Sequence, residues 1–163
     1  ELGVGEDVLR AFLTSLPEKI RNPDWHAHET DMVRLLAVYL HGGVYMDADV
    51  IVTRSMSGLR NVVGYEFGPE YINARKMNRW WRRQRPMIAN SIFKFDRGNK
   101  FLAVCIRGVL TSYRGVGYTE IGPALFSSVI GGFLARSSGL KVCYTGTGGG
   151  DCDVTVLEME AFN

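Results

Sequence analysis

Residues 30–52 read TDMVRLLAVYLHGGVYMDADVIV, and the fold follows from how this stretch is divided. Thr30 is of the type that caps a helix, and the spacing predicts a helix from Asp31 to His41, with Asp31 in a first turn that favours an anion. Met32, Val33, Leu35, Leu36, Val38, Tyr39 and Leu40 leave almost no polar face on it. It is therefore expected to be largely buried, with Asp31 and Arg34 as two conspicuous charges one turn apart. Gly42 and Gly43 stop the helix, and His41 meets its orphan carbonyls. Val44–Val52 is rich in β-branched and aromatic residues and reads as the interior of a strand. Side chains alternate across a pleat, so Asp47 and Asp49 are expected on one face of it. Two carboxylates held together in an apolar strand repel and are costly to desolvate, which a divalent cation or a set of donors relieves. Oxygen ligands select Mg²⁺ or Mn²⁺, which complete octahedral coordination with water and phosphate oxygens.

Around this core the chain has 163 residues, the size of one domain, and residues 1–163 are read as one. A composition of 46% hydrophobic and 22% charged residues excludes wholesale disorder, collagen and coiled coil. The net charge of +2 is too small a surplus to point to nucleic acid or an anionic membrane. No run of about 18 apolar residues is present, and ELGVGEDVLR lacks the basic and apolar regions of a signal peptide. A start at Glu1 without Met and an end at Asn163 after an apolar run are expected of a piece of a longer chain.

Other segments read as follows. Val8, Leu9, Phe12, Leu13 and Leu16 form one stripe and predict a helix over 5–20. The run ARKMNRWWRRQRP, 74–86, is read as a solvated loop, or as a surface where Trp80 and Trp81 stack on a sugar while an arginine reaches a diphosphate, with a nucleic-acid or membrane patch third, since the rest of the chain carries a compensating acidic excess. His26 and His28 form an HxH without a third ligand, so zinc is not expected there. Cys105 sits in an apolar run as a core thiol. Cys143 and Cys152 flank a glycine-rich turn, and both a bridge and two free thiols are open.

The residues resemble the DxD-containing sugar-binding region of GT-A glycosyltransferases: Thr30-Asp31, Arg34, Gly42-Gly43, Tyr45 and Asp47-x-Asp49 fall on that pattern. The later segments LRNVVGYE, IANSIFKFDRGNKFLAVCI, GPALFSSVI and CDVTVLEMEAFN resemble blocks of the alpha-1,4-glycosyltransferase group, so the resemblance runs from about Asp24 to Asn163. It implies an α/β fold, a GT-A-like mixed sheet flanked by helices, with the DxD at the end of a central strand and helices on both faces. Part of the N-terminal nucleotide-binding half is expected to be missing from this chain. It further implies a Golgi enzyme that moves a hexose, galactose or N-acetylglucosamine, from a UDP-sugar to a glycan or glycolipid hydroxyl with retention of configuration. Mn²⁺ or Mg²⁺ is the implied cofactor and membrane anchoring is left to a segment outside this chain. By the same resemblance Asp47 and Asp49 hold the metal, and Asp31, Arg34, Gly43, Tyr45 and Asp47 bind the donor. Asn90, Gly122 and Pro123 face the donor sugar or the acceptor.

Retention proceeds either through a carboxylate nucleophile or by same-face attack assisted by the leaving phosphate. Glu120 and Asp96 are the carboxylates to test as nucleophile, Glu120 being placed with Asp47 and Asp49 in the catalytic set, while Glu66 and Glu70 follow the strand region. Two other readings compete. One is a glycosyltransferase-like module without turnover. The other is a phosphatase with Asp47 as its aspartyl nucleophile and Asp49 as acid/base.

Overall fold

A computed structural model of the chain describes residues 10, 14, 23–67, 87–115, 117–132, 136–144 and 151–157. The expected helix over 5–20 and the basic, tryptophan-bearing run 74–86 lie outside these, apart from Arg10 and Thr14.

Helix α1 spans Trp25–His41, six residues earlier than the cap-based expectation. Trp25, His28, Asp31, Met32, Leu35, Val38 and Tyr39 are buried, and their spacing is the helical period extended backwards through the histidine. Thr30 does not cap. Its hydroxyl donates to the His26 carbonyl at 2.8 Å, a bond within the helix that satisfies the side chain locally, while Asp24 occupies the cap position. Only one stripe is covered: Val33 is 59% exposed and Leu40 44%, so the helix is less buried than its composition suggests. The stop falls where the diglycine places it. Gly42 has φ +71° and donates its amide to the Val38 carbonyl at 2.8 Å, and a Cβ there would come 2.8 Å from the Arg97 amide nitrogen.

The strand after the diglycine, β1, covers only Gly43–Met46. It pairs antiparallel with the long strand β3, Met87–Phe95, in the register Gly43↔Phe95 to Met46↔Ile92. One further rung, from the Asp47 amide to the Ser91 carbonyl at 2.8 Å, ends the ladder, and the Val50 amide then turns back onto the Asp47 carbonyl. The expectation of a buried strand over 44–52 therefore fails, as does that of a central one. In the described sheet β1 is at the edge, Val44 and Met46 are nearly half exposed, and Ile51 is 83% exposed. A β-branched run records a fit to a pleated surface and not a depth, and an edge strand meets it with one face covered.

Strand β2, Val62–Phe67, lies on the other side of β3, antiparallel to it with two register shifts. Beyond it come β5, Val154–Leu157, and β4, Val142–Tyr144, both parallel to their neighbours, so the order β1-β3-β2-β5-β4 is a mixed sheet. Helix α2, Lys100–Ser112, is capped by Asn99, whose Oδ1 accepts from the Phe101 and Leu102 amides. The same side chain donates to the Asp153 carbonyl at 2.9 Å, which ties the helix start to β5. Helix α3, Pro123–Gly131, packs on β3 and on α2, and α2 packs on α1.

These contacts put all three helices on the Phe93 and Phe95 face. Phe93, Phe95, Phe101 and Phe126, each almost wholly buried, meet there with ring centroids 5.1–5.9 Å apart. On the opposite face Ile92 meets the irregular segment from Val50 to Leu59, and Lys94 Nζ donates to the Met56 carbonyl at 2.8 Å. The sheet is flanked by helices as expected, yet among the described residues they cover one face and a loop covers the other. Cys105 is a buried free thiol, pushed up in pKa by burial, and Cys143 is bridged to Cys152, joining β4 to the residues before β5. No helix of the described residues is long and apolar enough to cross a membrane.

Candidate functional site

Asp31 and Arg34 sit one turn apart on the buried stripe of α1, where they meet the middle of β3. Asn90 of β3, itself buried, donates its amide to Asp31 Oδ1 at 2.7 Å. Arg34 is the hub. Its Nη1 donates to the Asn90 carbonyl at 3.0 Å and lies 3.2 Å from Asp47 Oδ1, while its Nε is 3.4 Å from Asp31 Oδ1. That last contact is an ion pair without hydrogen-bond geometry, so Arg34 Nε is the buried side-chain nitrogen left without a hydrogen bond among the described residues. The guanidinium also stacks over the Tyr45 ring, 4.5 Å from its centroid. The Tyr45 hydroxyl donates to Asp47 Oδ1 at 2.6 Å.

The electrostatics follow from burial. Asp31 has its pKa raised, chiefly by desolvation, against the lowering effects of Arg34 and Asn90. Tyr45 is pushed up to about 12, first by burial and then by the bond to Asp47, so its hydroxyl stays a donor. Because the folded state holds the Asp31 proton more tightly than the unfolded chain, this group's contribution is fully present below the ordinary value of 3.8. It is lost as pH rises through the raised value. Asp31→Asn, which cannot ionise and can still accept from Asn90, is expected to gain stability relative to the wild type as pH rises from about 4 to 7. Paired urea melts across that range check it, and a difference flat with pH would show that Arg34 fully offsets the burial.

An open cavity of about 310 Å³ has Asp31, Arg34, Asp47 and Asn90 in its wall. Thr30 of α1, Glu66 of β2, Tyr118, Thr119 and Pro123 also line it. Of the residues that the sequence pattern singles out, the structure therefore brings together Asp31, Arg34, Tyr45, Asp47, Asn90 and Pro123. Gly122 joins them through its lack of a side chain: a Cβ would come 2.6 Å from Asp31 Oδ2 and 2.7 Å from Asn90 Nδ2. Gly43 begins β1 at φ +107° and does not line the cavity. Asp49 is exposed in the turn after β1, so the two DxD carboxylates do not share a pleat.

Glu120 is not brought to this cluster. Its Oε1 accepts from the Arg114 amide at 2.7 Å, and it lines a second cavity, of about 270 Å³, with Ile121 and Leu125. Asp96 is tied to Arg60 Nε at 2.6 Å and to Asn61 at a surface turn. His26 and His28 diverge, since positions i and i+2 of a helix do not face each other. His28 is fully buried, with Nε2 donating to the Gly117 carbonyl at 2.8 Å and Nδ1 accepting from the Tyr113 hydroxyl at 2.6 Å, the tautomer these partners require. Sequence reasoning missed Tyr118 and Thr119 in the cavity wall, where GVGYTE carries no periodic signal. Glu66 was visible only as a carboxylate near a strand. Its pKa is raised by burial.

A divalent cation fits this donor set. Asp47 is part-exposed and Asp49 exposed, both are hard oxygen donors, and among the described residues no third His, Cys, Asp or Glu joins them. Two carboxylates leave positions for water and phosphate oxygens, as Mg²⁺ or Mn²⁺ requires.

Comparison with known proteins agrees with the geometry. Residues 9–68, which contain α1, β1 and the DxD, match the family model described as glycosyltransferase sugar-binding region containing DXD motif. The chain is 33% identical over 86 residues to an uncharacterized protein of Arabidopsis thaliana, covering 53% of this chain and 11% of that protein. It is 28% identical over 133 residues to lactosylceramide 4-alpha-galactosyltransferase of Rattus norvegicus, covering 82% and 31%. Against the Homo sapiens protein of that name it is 26% identical over 100 residues, covering 61% and 24%. The chain thus spans well under half the length of these relatives. No solved structure matches it. The chain is a DXD glycosyltransferase-like protein.

Proposed function

We propose that this glycosyltransferase-like protein binds a UDP-sugar with Mn²⁺ or Mg²⁺ and transfers a hexose, galactose or N-acetylglucosamine, to a glycan or glycolipid hydroxyl. Retention of configuration and an alpha-1,4 linkage are part of the reading, by likeness to the galactosyltransferases above. The observation that carries it is the Arg34 hub: one buried guanidinium joins Asp31 and Asn90, which face the cavity, to Asp47 of the DxD at its edge.

In this reading Asp49 and Asp47, whose two oxygens also meet Arg34 Nη1 at 3.2 and 3.4 Å, hold the cation. The bound ion supplies the charge that offsets what develops on the departing diphosphate. Tyr45 and Arg34 fix the Asp47 carboxylate in orientation, so no reorganisation is needed when the donor arrives. Asp31, in the cavity wall, accepts from sugar hydroxyls in this reading, and Asn90 holds it in place. Gly122 and Pro123 close the wall against that pair. The Cys143–Cys152 bridge suits an oxidising compartment, which supports the Golgi lumen as the site of action.

Calorimetric titration of UDP-galactose and UDP-N-acetylglucosamine with and without Mn²⁺ tests the reading. Binding of one of them that requires Mn²⁺ is expected. A folded protein that binds neither with Mn²⁺, or that releases phosphate from a generic ester without a sugar nucleotide, would refute it.

A further inference from the structure

The loop between α2 and α3 is fastened far more firmly than a surface connection requires. The Gly117 carbonyl accepts both from buried His28 Nε2 at 2.8 Å and from the Glu120 amide at 3.0 Å, which closes a turn over 117–120. The Thr119 carbonyl accepts from the Ala124 amide at 3.1 Å, joining the turn to the first residues of α3. Glu120 bonds back to the Arg114 amide at 2.7 Å, and Tyr113 bonds His28 from the other side at 2.6 Å. At the tip stands Tyr118, 68% exposed, with its ring at the cavity that holds Asp31, Asp47 and Asn90. A single exposed aromatic is ordinary. One placed on a hydrogen-bonded turn at the rim of a polar cavity is pre-organised to take a ligand, because little loop freedom remains to be lost on binding.

We propose that Tyr118 is a stacking platform for the acceptor, a neutral hexose whose apolar C–H face lies on the ring, and that His28 is the positioning residue that holds it there. The inference rests on the donor-site reading above. The placement favours the acceptor over the nucleotide. Along α1, His28 anchors the turn one helical turn before Asp31, whereas Arg34 engages the DxD one turn after it, so the two ends lie about 9 Å apart along the axis. The diphosphate belongs at the DxD end. The transferred sugar then occupies the span around Asp31, and the acceptor enters from the Tyr118 side. A tyrosine suits a neutral sugar, offering an apolar face without a charge.

Lactose serves as the acceptor probe and UDP-galactose with Mn²⁺ as the donor. In the protein carrying this chain, Tyr118→Ala is expected to raise the KM for lactose about tenfold, the loss of one stacked ring, with the Kd for UDP and Mn²⁺ unchanged within about twofold. Tyr118→Phe keeps the ring and is expected to stay within about twofold on both. His28→Gln is expected to raise the lactose KM without altering UDP binding. An unchanged lactose KM in Tyr118→Ala overturns the proposal. So does a loss of UDP binding in that variant, which would place the ring under the uracil base, and so does a wild type that binds UDP and gives no saturation-transfer NMR signal from lactose. A wild type that fails to bind UDP with Mn²⁺ at all refutes the donor-site reading itself, and the platform falls with it.

Discussion

Arg34→Met is expected to lower folding stability by about 3 kcal/mol and to remove donor binding, because it strips the shared counter-charge from two carboxylates at once. Asp31 is buried and, even with Arg34 beside it, is harder to ionise than an ordinary aspartate. Without the guanidinium its charge would face only the Asn90 amide. Breaking a buried pair costs about 3–5 kcal/mol, and the lower figure applies because Asp47 keeps 29% of its side chain in water and can turn outward. Methionine retains most of the packing over the Tyr45 ring, so the loss reports charge and hydrogen bonds rather than volume.

Urea melts of the single and double variants measure this. Adding Asp31→Asn to Arg34→Met is expected to recover more than half of the loss, since it removes the orphaned charge. Arg34→Lys is expected to fall between the wild type and Met, because an ammonium keeps the charge and cannot reach Asp31, Asp47 and the Asn90 carbonyl in one plane. A variant Arg34→Met as stable as the wild type would mean that the hub contributes no net stability.

That hub also shows how far a sequence can be read. The helix, the diglycine stop at Gly42 and the pairing of Asp31 with Arg34 follow from spacing along one element, where local chemistry decides. The start of α1 does not, because His28 is drawn into the helix by its bonds to Tyr113 and Gly117, nearly ninety positions away. Composition implied a buried strand over 44–52, yet β1 ends at Met46. Edge and centre differ in which strands arrive later, and among the described residues β3 alone pairs with it. Asn90 was legible only through resemblance to a family block, since its bond to Asp31 spans 59 residues. Glu120 shows the reverse: a carboxylate beside a Gly-Pro block looks chemical in one dimension, and in three it bonds the Arg114 amide within the loop that carries Tyr118.

Asp49→Asn provides the sharpest separation of function from fold. Asp49 is exposed in a turn, so its amide is expected to leave the melting midpoint within the scatter of surface substitutions, about ±0.5 kcal/mol. Its effect on transfer is expected to be large, on the order of 10³-fold, because the cation of the proposed reading would lose one of its two protein ligands and with it the charge stabilisation offered to the leaving diphosphate. Asp47→Asn should differ in kind. Asp47 is bonded to Tyr45 and Arg34, so the loss of its charge unpairs the hub as well as the cation, and stability falls together with activity. Mn²⁺ titration followed calorimetrically, beside thermal melts of both variants, distinguishes the two. If Asp49→Asn keeps both its Mn²⁺ affinity and its transfer rate, the cation is not held by the DxD, and the Arg34 cluster serves the architecture of α1 and β3 rather than a donor.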